Sequence, residues 1–177
     1  MKKIFWLSVL VGLLMPVLVS AQTLWKPYSY EISFKIKNAG ATVIGRFTGL
    51  KANLAFDPAN LAKSSLDASV EVATIKTGID KRERDLIEEN YFNAAKYKLI
   101  EMKSTRLYKK GDLYAGMFNV TIKGVTKPVE VPFEMTRNGS DAVFKGSFPL
   151  NRRDYGVGGN SVSMGDNLEV SLTVFAK

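Results

Sequence analysis

The chain has 177 residues with 25 basic and 17 acidic side chains, a formal net charge of +8, and neither histidine nor cysteine. The two absences exclude Ser-His-Asp and Cys-His nucleophilic sites, thiolate redox chemistry, disulfide bonds, and zinc or haem sites with imidazole or thiolate ligands. Carboxylate, lysine, tyrosine, serine and threonine side chains are left for chemistry, and their order in the chain predicts no metal site and no cofactor.

The first residues have the order of a secretory signal peptide. Lys2-Lys3 precedes an apolar stretch from Ile4 to Val19, and the small-residue sequence Val19-Ser20-Ala21 ends it. Signal peptidase cuts after such an ending, and the stretch is shorter than the ~20 apolar residues of a membrane span. We predict a signal peptide over 1–21 and a mature domain over 22–177; the alternative is a retained N-terminal anchor.

Alternation of apolar and polar residues predicts β-strands in the first part of the mature chain. Side chains of a strand point alternately to opposite faces, so each alternating run has one apolar and one polar face. Turn residues such as Asn38-Ala39-Gly40 and Asp57-Pro58 separate the runs. The predicted strands follow Tyr28 and then cover residues 43–47, 52–56 and 66–72.

A short helix is predicted next. Thr77 and Asp80 have the spacing of a capping box in which aspartate replaces glutamate. Leu86 and Ile87 then form a narrow apolar stripe at helical spacing. The pattern predicts a helix from Asp80 to Asn90.

The second half of the chain returns to alternation and predicts strands at residues 97–107, 113–123, 129–133, 142–150 and 168–174. A Gly-rich loop over 153–167 separates the last two of them. Together with the earlier runs, they predict one all-β domain of roughly eight antiparallel strands and one short helix. A long meander tends to close into a barrel, which removes its exposed edges.

The apolar strand faces define the interior of this predicted barrel. A barrel of about eight strands is either filled by its own side chains or wide enough to hold one small ligand. Composition alone slightly favours the filled interior, and a ligand-holding lumen is the alternative. The residues predicted to line an apolar lumen are Phe34, Ile36, Phe47, Val70, Phe118, Val120, Phe133, Phe144, Phe148 and Leu172.

Basic residues are scattered along the mature chain, which has 23 basic and 17 acidic residues and a net charge of +6. The scatter favours solvated outward strand faces over a nucleic-acid site, and it allows at most peripheral contact with a membrane. Arg84 and Arg153 are candidates for contact with a ligand head group, because a guanidinium binds phosphate through two hydrogen bonds. The alternative for both is an ion pair, with Asp85 or Asp154 as the neighbouring carboxylate.

Four motifs are spread between Tyr28 and Thr173. The first is Phe34-Lys35-Ile36, followed later in the chain by Gly45 and Phe47, and the second is Arg84-Asp85-Leu86, followed by Tyr91-Phe92. The third is Ile122-Lys123-Gly124-Val125-Thr126-Lys127-Pro128-Val129. The fourth is Asn151-Arg152-x-Asp154-Tyr155-Gly156-Val157-Gly158. In their order and spacing these motifs resemble the YceI-like family of periplasmic proteins, which are lipocalin-like barrels that bind polyisoprenoid lipids.

The resemblance implies an exported periplasmic protein that holds a polyisoprenoid or an isoprenoid quinone in an open lumen and catalyses no reaction. It implies an isoprenoid lipid as the partner, no nucleic acid, and either a monomer or a homodimer. Many family members have a histidine early in the first strand, where this chain has Ser29-Tyr30-Glu31. They also often have proline and phenylalanine where this chain has Lys98 and Met102. The first departure predicts a different barrel mouth.

Two other functions are compatible with the sequence. Asp85, Glu88, Glu89 and Glu101 could supply an acid and a base for glycoside hydrolysis, although their spacing selects no pair. An envelope protein with a structural or stress-related interaction role and a filled barrel would need no small ligand. A co-purifying isoprenoid distinguishes a carrier from an interaction protein, and substrate turnover identifies an enzyme.

Overall fold

The computed structural model describes residues 23–177, so the predicted signal peptide over 1–21 lies outside the described residues. The strands are β1 (Leu24–Trp25), β2 (Pro27–Asn38), β3 (Ala41–Phe47), β4 (Leu50–Ala55), β5 (Ser65–Glu71), β6 (Leu99–Lys110), β7 (Leu113–Ile122), β8 (Val125–Asn138), β9 (Asp141–Asn151) and β10 (Met164–Ala176). Helix α1 (Asp80–Ile87) lies between β5 and β6, and 3-10 helices cover Leu61–Lys63, Val72–Thr74 and Arg152–Tyr155. Within residues 23–177, no helix is long and apolar enough to cross a membrane.

All ten strands pair antiparallel in one sheet with the order β1-β4-β5-β6-β7-β8-β9-β10-β2-β3. The edge strands continue directly into inner strands, because only Lys26 separates β1 from β2 and only Thr48-Gly49 separates β3 from β4. Arg46 and Lys76 exchange two backbone hydrogen bonds of 2.8 Å, which tie β3 to the chain beyond β5. The sheet therefore curls on itself, and the predicted all-β barrel is confirmed.

Two details differ from the sequence-based predictions. The described chain has ten strands where roughly eight are predicted, and one of them is the short strand Leu24–Trp25, which lies outside every predicted run. Helix α1 ends at Ile87, before the predicted Asn90, because Glu88 takes an extended conformation with ψ of 168°.

The predicted capping box at the start of α1 is wrong. Ile79 is the N-cap residue, and no side chain caps the helix. Instead, the Glu83 carboxylate accepts hydrogen bonds from the backbone N–H groups of Thr77, at 2.7 Å, and Gly78, at 3.1 Å. The chain before the helix is therefore held by an acidic side chain inside the first turn, where a negative charge also suits the helix dipole.

One end of the barrel interior is filled by aromatic rings. Phe56 is fully buried just after β4, and it packs edge-on against Tyr114, Phe133 and Phe144 at centroid distances of 5.1, 5.6 and 5.7 Å. Trp25 packs against Phe144 at 6.3 Å, and its indole N–H donates to the Phe56 carbonyl at 3.0 Å. Each aromatic pair stabilises the fold by about 0.5–1.5 kcal/mol beyond its buried area. These five residues form what we call the aromatic plug.

Candidate ligand cavity

An apolar cavity of about 420 Å³ occupies the other part of the barrel interior. Its walls come from strands β2 to β7, β9 and β10. It opens beside α1, where the lining residues Ile79, Lys81 and Asp85 are exposed to solvent. The volume lies in the range of roughly 300–1,000 Å³ that small-ligand pockets have.

The residues predicted to line a lumen fall into two groups. Those in the cavity wall are Phe34, Ile36, Phe47, Val70, Val120, Phe148 and Leu172. Phe118, Phe133 and Phe144 are buried but lie outside the wall. Phe133 and Phe144 belong to the aromatic plug, and the Phe118 ring covers Gly116, where an added Cβ would lie 2.4 Å from the ring. Alternation predicts which face points inward, but it carries no information on how far the open space extends along the strands.

The chain after α1 adds a part of the wall that is not among the predicted lumen residues. Phe92 lies in this segment and packs edge-on against Phe47 at 6.2 Å, and Phe47 contacts Phe34 at 5.9 Å. Phe34 in β2 faces Gly45 in β3, and an added Cβ at Gly45 would lie 2.2 Å from the Phe34 ring. A glycine inside an alternating run is a sequence signal for such a close approach. No periodicity marks Phe92, whose position depends on the whole fold.

Charged residues of α1 lie at the mouth of the cavity. Lys81 and Arg82 both line it, and Lys81 forms an ion pair of 3.1 Å with Asp85. Arg82 is half-buried and forms no ion pair or side-chain hydrogen bond with the rest of the described chain. Arg84, the predicted head-group contact, does not line the cavity. Two residues of an α-helix that are two positions apart point in nearly opposite directions, so only one of these arginines can face the opening.

Arg153, the second predicted head-group contact, also lies outside the cavity wall. Its Nε donates to Asp166 Oδ1 at 2.7 Å, at the half-exposed surface. The neighbouring Arg152 is only 4% exposed and does line the cavity. Its guanidinium donates to five backbone carbonyls between Val157 and Gly165 and to the Asp166 carboxylate, at distances of 2.7 to 3.2 Å. Arg152 therefore holds the Gly-rich loop in place along the cavity.

Two buried hydroxyl groups belong to residues of the cavity wall. Thr77 Oγ1 and the Tyr155 hydroxyl have no hydrogen-bond partner within the described part of the chain. Burial raises the pKa of Tyr155, and the negative charge of Asp154 raises it further, so Tyr155 is neutral near pH 7. The wall is thus largely uncharged away from the mouth. Among residues 23–177, no cluster of three or more acidic residues is placed to hold a metal ion.

The Glu83 carboxylate and the Lys76 ammonium lie beside this wall, and their opposite charges neutralise each other. Their side chains form an ion pair with an N–O distance of 2.9 Å. Hydrogen bonds from the Thr77 backbone and from Lys76 lower the pKa of Glu83, and the same carboxylate raises the pKa of Lys76. Neither charge is left free to bind a ligand.

Comparison with known proteins places this geometry in a family. A family model described as the YceI-like domain matches residues 25–176. The UPF0312 protein of Photorhabdus laumondii is 29% identical over 131 residues, which are 70% of this chain and 68% of that protein.

Solved structures show the same fold. Burkholderia cenocepacia BcnA has a TM-score of 0.80 and 24% identity, with 84% of this chain and 96% of that chain covered. A polyisoprenoid binding domain from Saccharophagus degradans, implicated in plant cell wall breakdown, has a TM-score of 0.67 and 13% identity, with 87% and 97% covered. At these identities the two structures share the fold alone. The family match extends over nearly all of the described chain, which confirms the resemblance found in the sequence motifs: this protein belongs to the YceI-like family.

Proposed function

We propose that this protein binds an isoprenoid-type lipid, either a polyisoprenoid or an isoprenoid quinone, inside its barrel and catalyses no reaction on it. The observation that carries the proposal is the largely apolar cavity of about 420 Å³, which has the charged residues of α1 at its mouth. An envelope interaction protein with a filled barrel would have no use for such a space. The cavity therefore favours the binding function over that alternative.

The chemistry of the wall suits a branched hydrocarbon chain. Aromatic rings from Phe34, Phe47, Phe92 and Phe148 and aliphatic side chains such as Leu172 cover most of it. Burial of a lipid chain gains about 0.8 kcal/mol for each CH₂ removed from water and needs no directional contact. The lumen residues predicted from the sequence that line this cavity are the ones we propose to contact the chain.

The comparisons support the same class of ligand. The Saccharophagus degradans domain with this fold is a polyisoprenoid binding domain. That property is carried over to this chain as a proposal, because the shared fold alone does not specify a ligand.

The polar end of the ligand is proposed to lie at the mouth beside α1. Arg82 is the basic residue of the wall whose charge has no partner in the described chain, so it is the best-placed group for an anionic or hydrogen-bonding head group. Arg84 and Arg153 stay candidates from the sequence, but neither lines the cavity.

The site of action is proposed to be the periplasm. The support is the N-terminal pattern of basic, apolar and small residues, which predicts export and cleavage after Ala21. The mature domain over 22–177 would then be free to collect lipid at a membrane surface, with at most peripheral contact.

The experiment is extraction of the protein purified from cells that express the full chain, followed by mass spectrometry of the organic phase. We expect an isoprenoid lipid in near-stoichiometric amount. Ala68 lines the cavity, so Ala68→Phe should fill it and reduce the bound lipid, whereas Ala73→Phe, at an exposed position of the 3-10 helix Val72–Thr74, should not. Extracts without isoprenoid from several host species would contradict the proposal.

A further inference from the structure

Two buried side-chain oxygen atoms in residues 23–177 have no hydrogen-bond partner, and both belong to residues of the cavity wall. They are Thr77 Oγ1 and the hydroxyl oxygen of Tyr155. A buried hydroxyl without a partner destabilises a fold, so such groups are rare in proteins and each one requires an explanation. Because both of them fall on the same cavity, a molecule bound in that cavity is the natural partner for them.

Other polar residues of the wall are already paired within the fold. The Arg152 guanidinium donates to five carbonyls and to Asp166. Asn151 accepts from the Arg153 N–H at 2.9 Å and donates to Asn167 at 3.1 Å. The two hydroxyls therefore differ from these groups in being buried and still able to bond a ligand.

The surroundings of Tyr155 favour an uncharged partner. Its side chain is only 2% exposed and packs in the hydrophobic core. Burial raises the pKa of the phenol, which stays a neutral group that can both donate and accept a hydrogen bond. A charged ligand group would lose its hydration to reach this depth, whereas a hydroxyl or a carbonyl loses far less.

Both hydroxyls lie toward the end of the cavity that carries α1. Thr77 is two residues before Ile79, the N-cap residue of the helix. Tyr155 ends the 3-10 helix Arg152–Tyr155, and the loop that follows is tied to the chain beyond α1, since the Gly158 N–H donates to the Asn90 carbonyl at 2.9 Å. A ligand oxygen held there would leave the rest of the cavity to the hydrocarbon chain.

We infer that the Tyr155 hydroxyl, together with Thr77 Oγ1, is the hydrogen-bonding site for an uncharged oxygen atom of the ligand, either the hydroxyl of a prenol or a ring carbonyl of a prenylated quinone. The inference rests on the proposed function, which assigns no residue to such an oxygen. Largely apolar pockets orient their ligands through a few polar groups of this kind. Arg82, which is half-buried at the mouth, stays the contact for an anionic group farther out.

The test compares three ligands that share a geranylgeranyl tail. They are geranylgeraniol, a naphthoquinone with that tail, and the hydrocarbon in which hydrogen replaces the hydroxyl group of geranylgeraniol. Affinities are measured by displacement of the fluorescent probe N-phenyl-1-naphthylamine from protein that is purified from cells expressing the full chain and stripped of lipid. The quantity compared is the affinity for each oxygenated ligand divided by the affinity for the hydrocarbon. The change of this ratio on mutation cancels the cost of transferring each ligand from water.

Tyr155→Phe removes only the hydroxyl and should lower the ratio about tenfold, the effect of losing one buried hydrogen bond. Affinity for the hydrocarbon should not fall. Tyr114→Phe removes a hydroxyl from the aromatic plug, outside the cavity wall, and should leave the ratio unchanged. A fall confined to the alcohol or to the quinone supports the inference and assigns the site to that head group.

Thr77 provides a second matched pair. Thr77→Val keeps the shape of the side chain without its hydroxyl and should lower the ratio, whereas Thr77→Ser keeps the hydroxyl and should retain most of it. If Tyr155→Phe does not fold, this pair decides the matter in the same way.

The stability of the ligand-free protein separates a binding role from a structural one. Tyr155→Phe should leave its melting temperature unchanged or raise it, because the substitution removes a buried hydroxyl without a partner in the described chain. A lower melting temperature with an unchanged ratio would mean that the hydroxyl bonds an ordered water molecule of the fold, and the inference would be wrong.

The remaining outcomes separate this inference from the proposed function. If none of the three ligands displaces the probe, the proposed function fails. If they bind, but the ratio in Tyr155→Phe stays within about twofold of wild type, the assignment of the two hydroxyls is wrong and the binding function stands.

Discussion

Phe56 lies edge-on against Phe144, with ring centroids 5.7 Å apart and ring planes at 84°. The contact connects the chain just beyond β4 with β9, two strands that are not neighbours in the sheet. Because the same Phe56 ring also contacts Tyr114 and Phe133, a single side chain bridges the interior at this end of the barrel. The closed end gives the cavity its floor.

Replacing Phe56 should therefore cost much of the stability of the fold. Phe56→Ala removes a fully buried ring and leaves a cavity in a dense cluster, so we expect a loss of about 3–5 kcal/mol in the free energy of unfolding. Urea denaturation followed by tryptophan fluorescence measures it. Phe175→Ala, at a partly exposed ring that packs against Tyr28 at 6.4 Å, is the control and should cost less than half as much. Equal losses for the two variants would show that the plug does not brace the barrel.

The aromatic plug is a part of the interior that the sequence pattern does not predict, although the pattern does predict the strand faces. Alternation over five or more residues predicts strand faces well, and the strands β7, β9 and β10 follow it. Trp25 lies in a strand of two residues, which is too short to show a period, and Phe56 lies beyond the last residue of β4. Their contacts arise from segments that are distant in sequence, so local patterns could not divide the interior into a plug and a cavity.

Which arginine of α1 faces the cavity is also not predictable from the sequence. The sequence places Arg82 and Arg84 on one short helix, but which of them faces the cavity depends on the rotation of α1 against the barrel. The helix has few apolar residues to set that rotation, with only Leu86 of the predicted stripe in the cavity wall. Arg152 and Arg153 differ in the same way, since one is buried and the other half-exposed although they are adjacent in sequence.

That difference between Arg152 and Arg153 predicts unequal effects on stability. Both donate to Asp166 Oδ1, but Arg152 also satisfies five carbonyls of the Gly-rich loop. Arg152→Gln should lower the free energy of unfolding by about 3 kcal/mol or more, because it leaves buried acceptors without partners. Arg153→Gln should lower it by less than about 1 kcal/mol, as for other exposed ion pairs. Comparable losses in chemical denaturation would contradict the role assigned to Arg152.

Glu83 predicts a dependence of stability on pH. Hydrogen bonds from the Thr77 backbone and from Lys76 hold the pKa of its carboxyl below the ordinary value of 4.5. A group with a lowered folded-state pKa stabilises the fold fully above its unfolded-state pKa, and this contribution is lost as the pH falls through the folded-state pKa. Glu83→Gln should therefore destabilise the protein at pH 7, and the difference from wild type should shrink progressively below pH 4.5.

Thermal denaturation of wild type and Glu83→Gln across this pH range measures the effect. Glu89→Gln, at an exposed residue beyond the end of α1, is the control and should follow the wild-type curve. A difference between wild type and Glu83→Gln that stays constant down to pH 3 would show that the carboxylate charge is not what stabilises this segment.

Export is predicted from residues outside the described part of the chain. Expression of the full chain in a Gram-negative host should yield a periplasmic protein whose first residue is Gln22. Ala21→Tyr should block cleavage, because signal peptidase needs a small residue at that position, and the uncleaved product should collect in the membrane fraction. N-terminal sequencing of both products decides it, and a wild-type product that begins at Met1 would mean that the stretch is a retained anchor.

The contrast between Arg82 and Arg84 gives a test of where the polar end of the ligand lies. Arg82 lines the cavity mouth without a partner in the described chain, and Arg84 lies on the same helix but outside the wall. A guanidinium that meets an anionic head group forms charge-assisted hydrogen bonds, which are worth about 1.5–3 kcal/mol. Geranylgeranyl phosphate should therefore bind about tenfold tighter than geranylgeraniol.

Arg82→Gln should remove that preference and leave the affinity for the alcohol unchanged, whereas Arg84→Gln should change neither. If Arg84→Gln removes the preference instead, the head group lies on the opposite face of α1, and a preference that survives both substitutions would assign it to another part of the mouth.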